Sequence, residues 1–140
     1  YKKPYFPEIE IEHLSHKLKK ASFIVGDFEQ AFDCLEPSDV VYCDPPYSPI
    51  NRTSNFTAYS GTGFSDDDQC RLVQCALKAK ELGIPTLISN HLTPFTKKLY
   101  SAADSKEVFS VQRSISQNGK KRNKVEEVLA LYSTDPKSTI

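Results

Sequence analysis

A β-branched apolar run that ends in two prolines constrains this chain more than any other feature. Residues 40–47 read Val-Val-Tyr-Cys-Asp-Pro-Pro-Tyr. Such a run enters a core as a strand, and the prolines cannot continue its hydrogen-bond ladder. The chain must therefore break at Asp44, leaving a carboxylate, a rigid carbonyl and an aromatic ring at the carboxyl end of the strand. In open α/β sheets that edge is where ligands bind. An acceptor pair beside a stacking ring suits a planar amine, with a nucleobase amino group the obvious candidate.

Two other readings attach to the same residues. Pro46-Tyr47-Ser48-Pro49 formally matches a PxxP ligand, but such ligands sit in polar, flexible segments rather than behind a buried strand. Cys43 could be a nucleophile, yet no Pro follows it directly and no neighbouring His is in view to generate a thiolate. Cys43 is read as a buried strand residue.

The pattern around this break alternates helix and strand. Residues 8–20 carry Ile11, Leu14 and Leu18 on one helical face, with an acidic start and a lysine-rich end that suit the helix dipole. Residues 22–25 read as a short strand. Asp27 can cap a helix in which Phe28, Ala31, Phe32 and Leu35 recur at i, i+3, i+4, i+7, and Pro37 ends it. After the 40–43 strand comes a long polar loop, residues 48–64, of a length usually functional or mobile. Ser65 caps the next helix, whose first turn holds Asp66, Asp67 and Asp68 and whose buried stripe is Leu72, Val73, Ala76 and Leu77. Gly83 stops it. Strands are expected at 84–89, 107–114 and 125–132, with a helix opening at Thr93-Pro94 and the last two strands antiparallel. The reading is an α/β sheet with a hairpin finish.

At 140 residues the chain holds one domain, and its 39% apolar content is enough for a core. We expect residues 1–135 to form it and 136–140 to be a frayed tail. No apolar run approaches a bilayer span, and the formal net charge of zero leaves the arrangement of charge to speak. Cys34, Cys43, Cys70 and Cys75 lack CxxC spacing, so no metal or disulfide is expected and a reducing cytoplasm is the natural home. The start, with no methionine or leader, reads as an interior cut of a longer protein. The sequons at Asn51 and Asn55 carry little meaning without a secretory signal.

Charge does gather in one place. Between Val108 and Val125 there is no acidic residue, while Arg113, Lys120, Lys121, Arg122 and Lys124 fall inside, beside Asn118 and the turn-permitting Gly119. A hairpin loop that contacts phosphates has this composition, and so does a solvated basic loop. Lys19, Lys20, Lys97 and Lys98 read as solvated faces. Gly61-Thr62-Gly63 lacks a preceding strand and a third glycine, which makes it a very weak phosphate loop. His13, His16 and His91 read as structural or solvated.

With Asp44-Pro45-Pro46-Tyr47 in place, the chain resembles the amino-methylating DNA methyltransferases, and most of all the Dam adenine methylases that act on GATC. The likeness runs over nearly the whole chain, through Tyr1-Lys2-Lys3-Pro4-Tyr5-Phe6, Asn55-Phe56-Thr57-Ala58-Tyr59, Leu87-Ile88-Ser89-Asn90-His91, Arg113-Ser114-Ile115-Ser116 and Val125–Tyr132. The family's glycine-rich cofactor turn and most of its DNA-reading helical insert have no counterpart here, so the chain looks like a carboxy-terminal half. The resemblance implies a partial class I (Rossmann-like) S-adenosylmethionine-dependent methyltransferase sheet, with helices on both faces and a C-terminal antiparallel hairpin.

It also implies a site. Asp44 and the Pro45 carbonyl would accept the two N–H bonds of an adenine amino group, with Pro46 stiffening the turn. Tyr47 would stack on the extruded ring, an interaction that contributes about 1–3 kcal/mol against a flipping cost of a few. Asp27, Phe28 and Asp44 would touch S-adenosylmethionine, although Phe28 suits the core equally well. Tyr1, Lys2, Lys3, Asn55, Tyr59, Arg113, Asn118, Gly119, Lys120, Lys121 and Arg122 would contact double-stranded DNA. The full-length enzyme is expected to be a cytoplasmic monomer, bacterial or phage-encoded, without metal or membrane. Two rivals remain: a non-catalytic nucleic-acid-binding module, and an amino methyltransferase acting on RNA or a protein glutamine. The latter enzymes typically carry Asn where this chain has Asp44.

Overall fold

The computed structural model describes residues 5–50, 63–112 and 124–134. Among these residues four strands form one open sheet in the order β1-β2-β4-β3, with β1 at Val41–Cys43, β2 at Thr86–His91, β3 at Ser105–Gln112 and β4 at Lys124–Tyr132. β1 and β2 run parallel, while β4 is antiparallel to both β2 and β3. The expected closing hairpin is present, and its second arm is inserted between β2 and β3.

Among the described residues four helices accompany the sheet: α1 (Glu8–Leu18), α2 (Phe28–Phe32), α3 (Asp66–Glu81) and α4 (Pro94–Leu99), the last followed by a 3-10 turn at Tyr100–Ala102. Their ends follow the expected chemistry. Ser65 accepts from the Asp68 amide while Asp68 accepts from the Ser65 amide, a reciprocal cap at the start of α3. Thr93 and Thr96 make the same arrangement at α4, with Pro94 in its first turn. Gly83 follows α3 at φ +78°, a conformation that costs glycine nothing.

The register decides which side of the sheet is dry. Thr86, Ile88 and Asn90 pair with Tyr132, Ala130 and Val128, and Cys43 pairs with Ile88, so all share one face. Leu72, Val73 and Ala76 of α3 pack there with Ile88, Val128, Ala130, Tyr132 and Tyr100. Phe28 and Phe32 of α2 and Leu99 of α4 close the edges of this cluster. On the opposite face Tyr42 is exposed and Leu87, Leu129 and Leu131 are half-buried.

Two expectations are corrected. The resemblance implies helices on both faces, but among the described residues α2, α3 and α4 share one, and α1 buries none of its residues. Ile11, Leu14 and Leu18 are spaced for burial yet remain exposed, because periodicity says which side of a helix is apolar and not what it meets. Residues 22–25 form no strand, and Phe23, Ile24 and Val25 stand exposed. A short apolar run becomes a strand only where a neighbouring edge supplies the ladder. Smaller differences are ones of extent: α2 ends at Phe32, and β2 runs on to His91.

Candidate active site

β1 and β2 are neighbours whose carboxyl ends lie side by side, with Cys43 opposite Ile88. The segment leaving β1 therefore meets the last three residues of β2, Ser89, Asn90 and His91. Asp44 is exposed and Tyr47 half-buried, so the carboxylate is not sealed within apolar packing.

Side chains from β2 and α3 hold this segment from both sides. The Ser89 hydroxyl lies 3.0 Å from Asp44 Oδ1 and 3.3 Å from the Cys43 carbonyl. The Tyr42 hydroxyl donates to Ser89 Oγ at 3.2 Å. On the other side, Asn90 Oδ1 accepts from the Ser48 amide at 2.8 Å, and Asn90 Nδ2 donates to Gln69 Oε1 and Tyr100 Oη at 3.1 and 2.9 Å. Gln69 Nε2 then donates to the Pro46 carbonyl at 2.8 Å. His91 Nδ1 lies 2.9 Å from the Ser48 carbonyl, and since a carbonyl only accepts, that nitrogen carries the proton. The His91 ring meets Tyr47 edge-on at 4.8 Å between centroids.

The electrostatics separate two readings of the thiol and the phenol. Burial pushes the Cys43 thiol up to about 11, with Cys75 adding to the rise. A thiol held neutral is no nucleophile at physiological pH, which disposes of that role. Burial also raises the Tyr47 phenol, with Ser89 pulling the other way and the Asp44 carboxylate adding to the rise. Tyr47 therefore stays neutral at physiological pH.

A second group of charges surrounds Asp27 and Phe28. Asp27 caps α2 through the Glu29 amide at 2.9 Å and accepts from Arg71 of α3 at 3.0 and 3.1 Å. Arg71 also binds Glu29 and Asp68, and its guanidinium carbon lies 4.9 Å from the centre of the Phe28 ring. The Glu29 amide first, then Arg71, hold the Asp27 carboxyl below its ordinary range. Phe28 leans on Phe64 at 5.8 Å and on the core cluster. These residues thus dock α2 onto α3 while leaving the Asp27 side chain 46% exposed.

The structure brings Asp44, Pro45, Pro46 and Tyr47 together with β2. Asp27 and Phe28 sit in their own cluster on α2. Tyr1, Lys2, Lys3, Asn55, Tyr59, Arg113, Asn118, Gly119, Lys120, Lys121 and Arg122 lie outside the described residues. Sequence reasoning missed Gln69, Ser89 and Asn90 as partners of the turn, missed Tyr100 as the group that orients Asn90, and treated His91 as merely structural or solvated. The available signal was a polar Ser-Asn-His run at the end of an apolar strand.

A parallel strand pair with a rigid acidic turn at its carboxyl edge, carrying an exposed carboxylate and a half-buried ring, is the arrangement the described residues present. The family model for the D12 class N6 adenine-specific DNA methyltransferases matches residues 1–115, and the chain belongs to that family. It is 49% identical over 134 residues to a protein of Vibrio cholerae named DNA adenine methylase, covering 95% of this chain and 48% of the relative. Proteins of the same name from Haemophilus influenzae and Escherichia coli K12 are 45% and 46% identical, over 94% of this chain and 46% and 47% of their own lengths. The chain spans about half the length of the curated relatives it matches.

Proposed function

We propose that the chain is the carboxy-terminal part of a DNA adenine methyltransferase that transfers a methyl group to N6 of an adenine extruded from duplex DNA, in GATC. The observation that carries this reading is the exposed Asp44 carboxylate, fixed by Ser89 at the carboxyl edge of β1 beside the neutral ring of Tyr47. The sheet order and mixed strand directions are consistent with a methyltransferase-like fold. The complete class I architecture belongs to this proposal.

An exocyclic adenine nitrogen is a poor nucleophile because its lone pair is delocalised into the ring. Asp44 and the Pro45 carbonyl accept its two N–H bonds and favour a pyramidal nitrogen with its lone pair directed outward. Tyr47 packs on the extruded base and offsets part of the flipping cost. Proline rings keep both acceptors in place, so the site works by positioning and fixed dipoles rather than by covalent catalysis. S-adenosylmethionine, as cofactor, supplies an electrophilic methyl group on a sulfonium. The residues present fit it: Asp27 offers an exposed carboxylate to polar groups of an adenosine, Phe28 an apolar ring, and Asp44 a negative charge. DNA contact by the basic 113–122 stretch and by Tyr1, Lys2, Lys3, Asn55 and Tyr59 completes the reading.

The test is radiolabelled methyl transfer to duplexes with and without GATC, by this chain alone and joined to the amino-terminal half of the Vibrio cholerae relative. Asp44→Ala should lower transfer by at least about 100-fold, as expected for loss of a positioned acceptor. Undiminished transfer by that variant would remove Asp44 from the chemistry, and transfer to RNA alone would favour the rival substrate.

A further inference from the structure

The Asp-Pro-Pro-Tyr turn has an anchoring problem. Two consecutive prolines supply no N–H groups, so the turn has fewer amides to be pinned by than an ordinary loop. Among its anchors are the Asp44 side chain, the Pro46 carbonyl and both backbone groups of Ser48. Each of these has a partner from β2 or α3.

Strand alternation explains how two adjacent residues do this. Side chains of neighbouring strand residues point to opposite faces, so Ser89 and Asn90 straddle the turn. A serine hydroxyl has one proton. Of its two acceptors, Asp44 Oδ1 is the closer and the charged one, and it takes the proton. Tyr42 donates into the same hydroxyl and fixes its direction. The Asp44 carboxylate rotates about a soft terminal torsion; with Oδ1 held, the second oxygen is left to face a substrate amine.

Asn90 is fully buried, and its amide uses all four hydrogen-bonding positions. The oxygen accepts from the Ser48 and His91 amides, and the nitrogen donates to Gln69 and Tyr100. Reversing the amide would set its NH2 against two N–H donors, so one orientation is enforced. Gln69, itself 2% exposed, is oriented in turn and passes the constraint to the Pro46 carbonyl. Filling the core would need only an apolar residue here, and a buried polar network is costly unless it is satisfied throughout.

We propose that Ser89 and Asn90 are paired positioning residues for methyl transfer. Ser89 sets the rotation of the Asp44 carboxylate, and Asn90, through Ser48 and Gln69, sets the backbone that presents the Pro45 carbonyl. This rests on the methyltransferase reading above and adds residues to it.

The experiment compares Ser89→Ala, Asn90→Ala and Tyr42→Phe in the joined protein, with amide exchange followed by NMR in the 140-residue chain. Asn90→Ala should speed exchange at the Ser48 amide by at least about 10-fold while central α3 amides keep their rates, and Ser89→Ala should leave Ser48 unchanged. Ser89→Ala and Asn90→Ala should each slow single-turnover methyl transfer by at least about 10-fold with the duplex Kd within about 2-fold, the signature of an effect on the chemical step. Tyr42→Phe should fall between Ser89→Ala and the parent. Unchanged Ser48 exchange in Asn90→Ala, or transfer unaltered in either alanine variant, overturns the proposal. So do losses that merely track DNA affinity or melting temperature. A joined parent that transfers no methyl group defeats the functional reading and this inference together, whereas an active parent with unaffected variants defeats this inference alone.

Discussion

Replacing Gln69 with leucine isolates the link between α3 and the proline turn. Leucine has nearly the same bulk, so the change removes hydrogen-bonding capacity without opening a large cavity. Two bonds disappear: the donation to the Pro46 carbonyl and the acceptance from Asn90 Nδ2. Asn90 keeps its bond to Tyr100 but retains one buried proton with no acceptor, a loss of about 1–3 kcal/mol. Pro46 is exposed, so water can replace Gln69 there and the second loss stays near 0.5–1 kcal/mol. Added apolar burial returns about 1 kcal/mol. The balance is a destabilisation of about 2 kcal/mol, or roughly 7 °C in Tm for a domain of this size. Urea unfolding followed by far-ultraviolet circular dichroism, with an unchanged m-value, measures it. A loss under about 0.5 kcal/mol would show that the buried amide network does not hold the turn. Gln69→Glu is the companion variant. It keeps the acceptor but buries a charge, so it should be worse than leucine at pH 7 and should recover at low pH as the carboxyl protonates and can donate.

Three further outcomes test other parts of the structure. Ile88→Ala, at the fully buried centre of the sheet's packed face, should lower stability by about 2–5 kcal/mol in the same urea assay. The carboxyl of Asp104 is held below its ordinary value of 3.8, chiefly by Lys80 and also by the Ser133 amide. A depressed carboxyl adds stability that is complete above its unfolded pKa and lost as pH falls through the folded one. Asp104→Asn should therefore be less stable than the parent at pH 7, and the gap should narrow as pH falls below the ordinary carboxyl value of 3.8; a gap independent of pH would refute the ion-pair account. Replacing Lys120, Lys121 and Arg122 together by alanine should reduce the salt dependence of duplex binding by up to about 2.7 in log–log slope, about 0.9 for each phosphate no longer neutralised. An unchanged slope would take the phosphate role away from this stretch.

Sequence reading succeeded where local chemistry is decisive. Ser65 followed by three aspartates announces a helix start whatever surrounds it, and the reciprocal cap is there. Val40 to Pro46 announces a strand and its end, because proline lacks the donor a ladder needs. It failed where a partner decides. Residues 22–25 and the apolar stripe of α1 have the right composition for a strand and a docked helix, yet neither is paired or buried among the described residues.

Taken alone, the amino-acid order determined the breakpoint after β1, the capped helices and the types of group offered at the site, since these follow from backbone torsions and donor counts within a few residues. Tertiary structure alone decided which groups meet. Setting β1 beside β2 in parallel put Ser89 next to Asp44, and packing α3 on one face brought Gln69 to Pro46 and Asn90. Those residues lie 21 to 45 positions apart in the chain, and no local periodicity encodes a meeting at that range; the register of the sheet does.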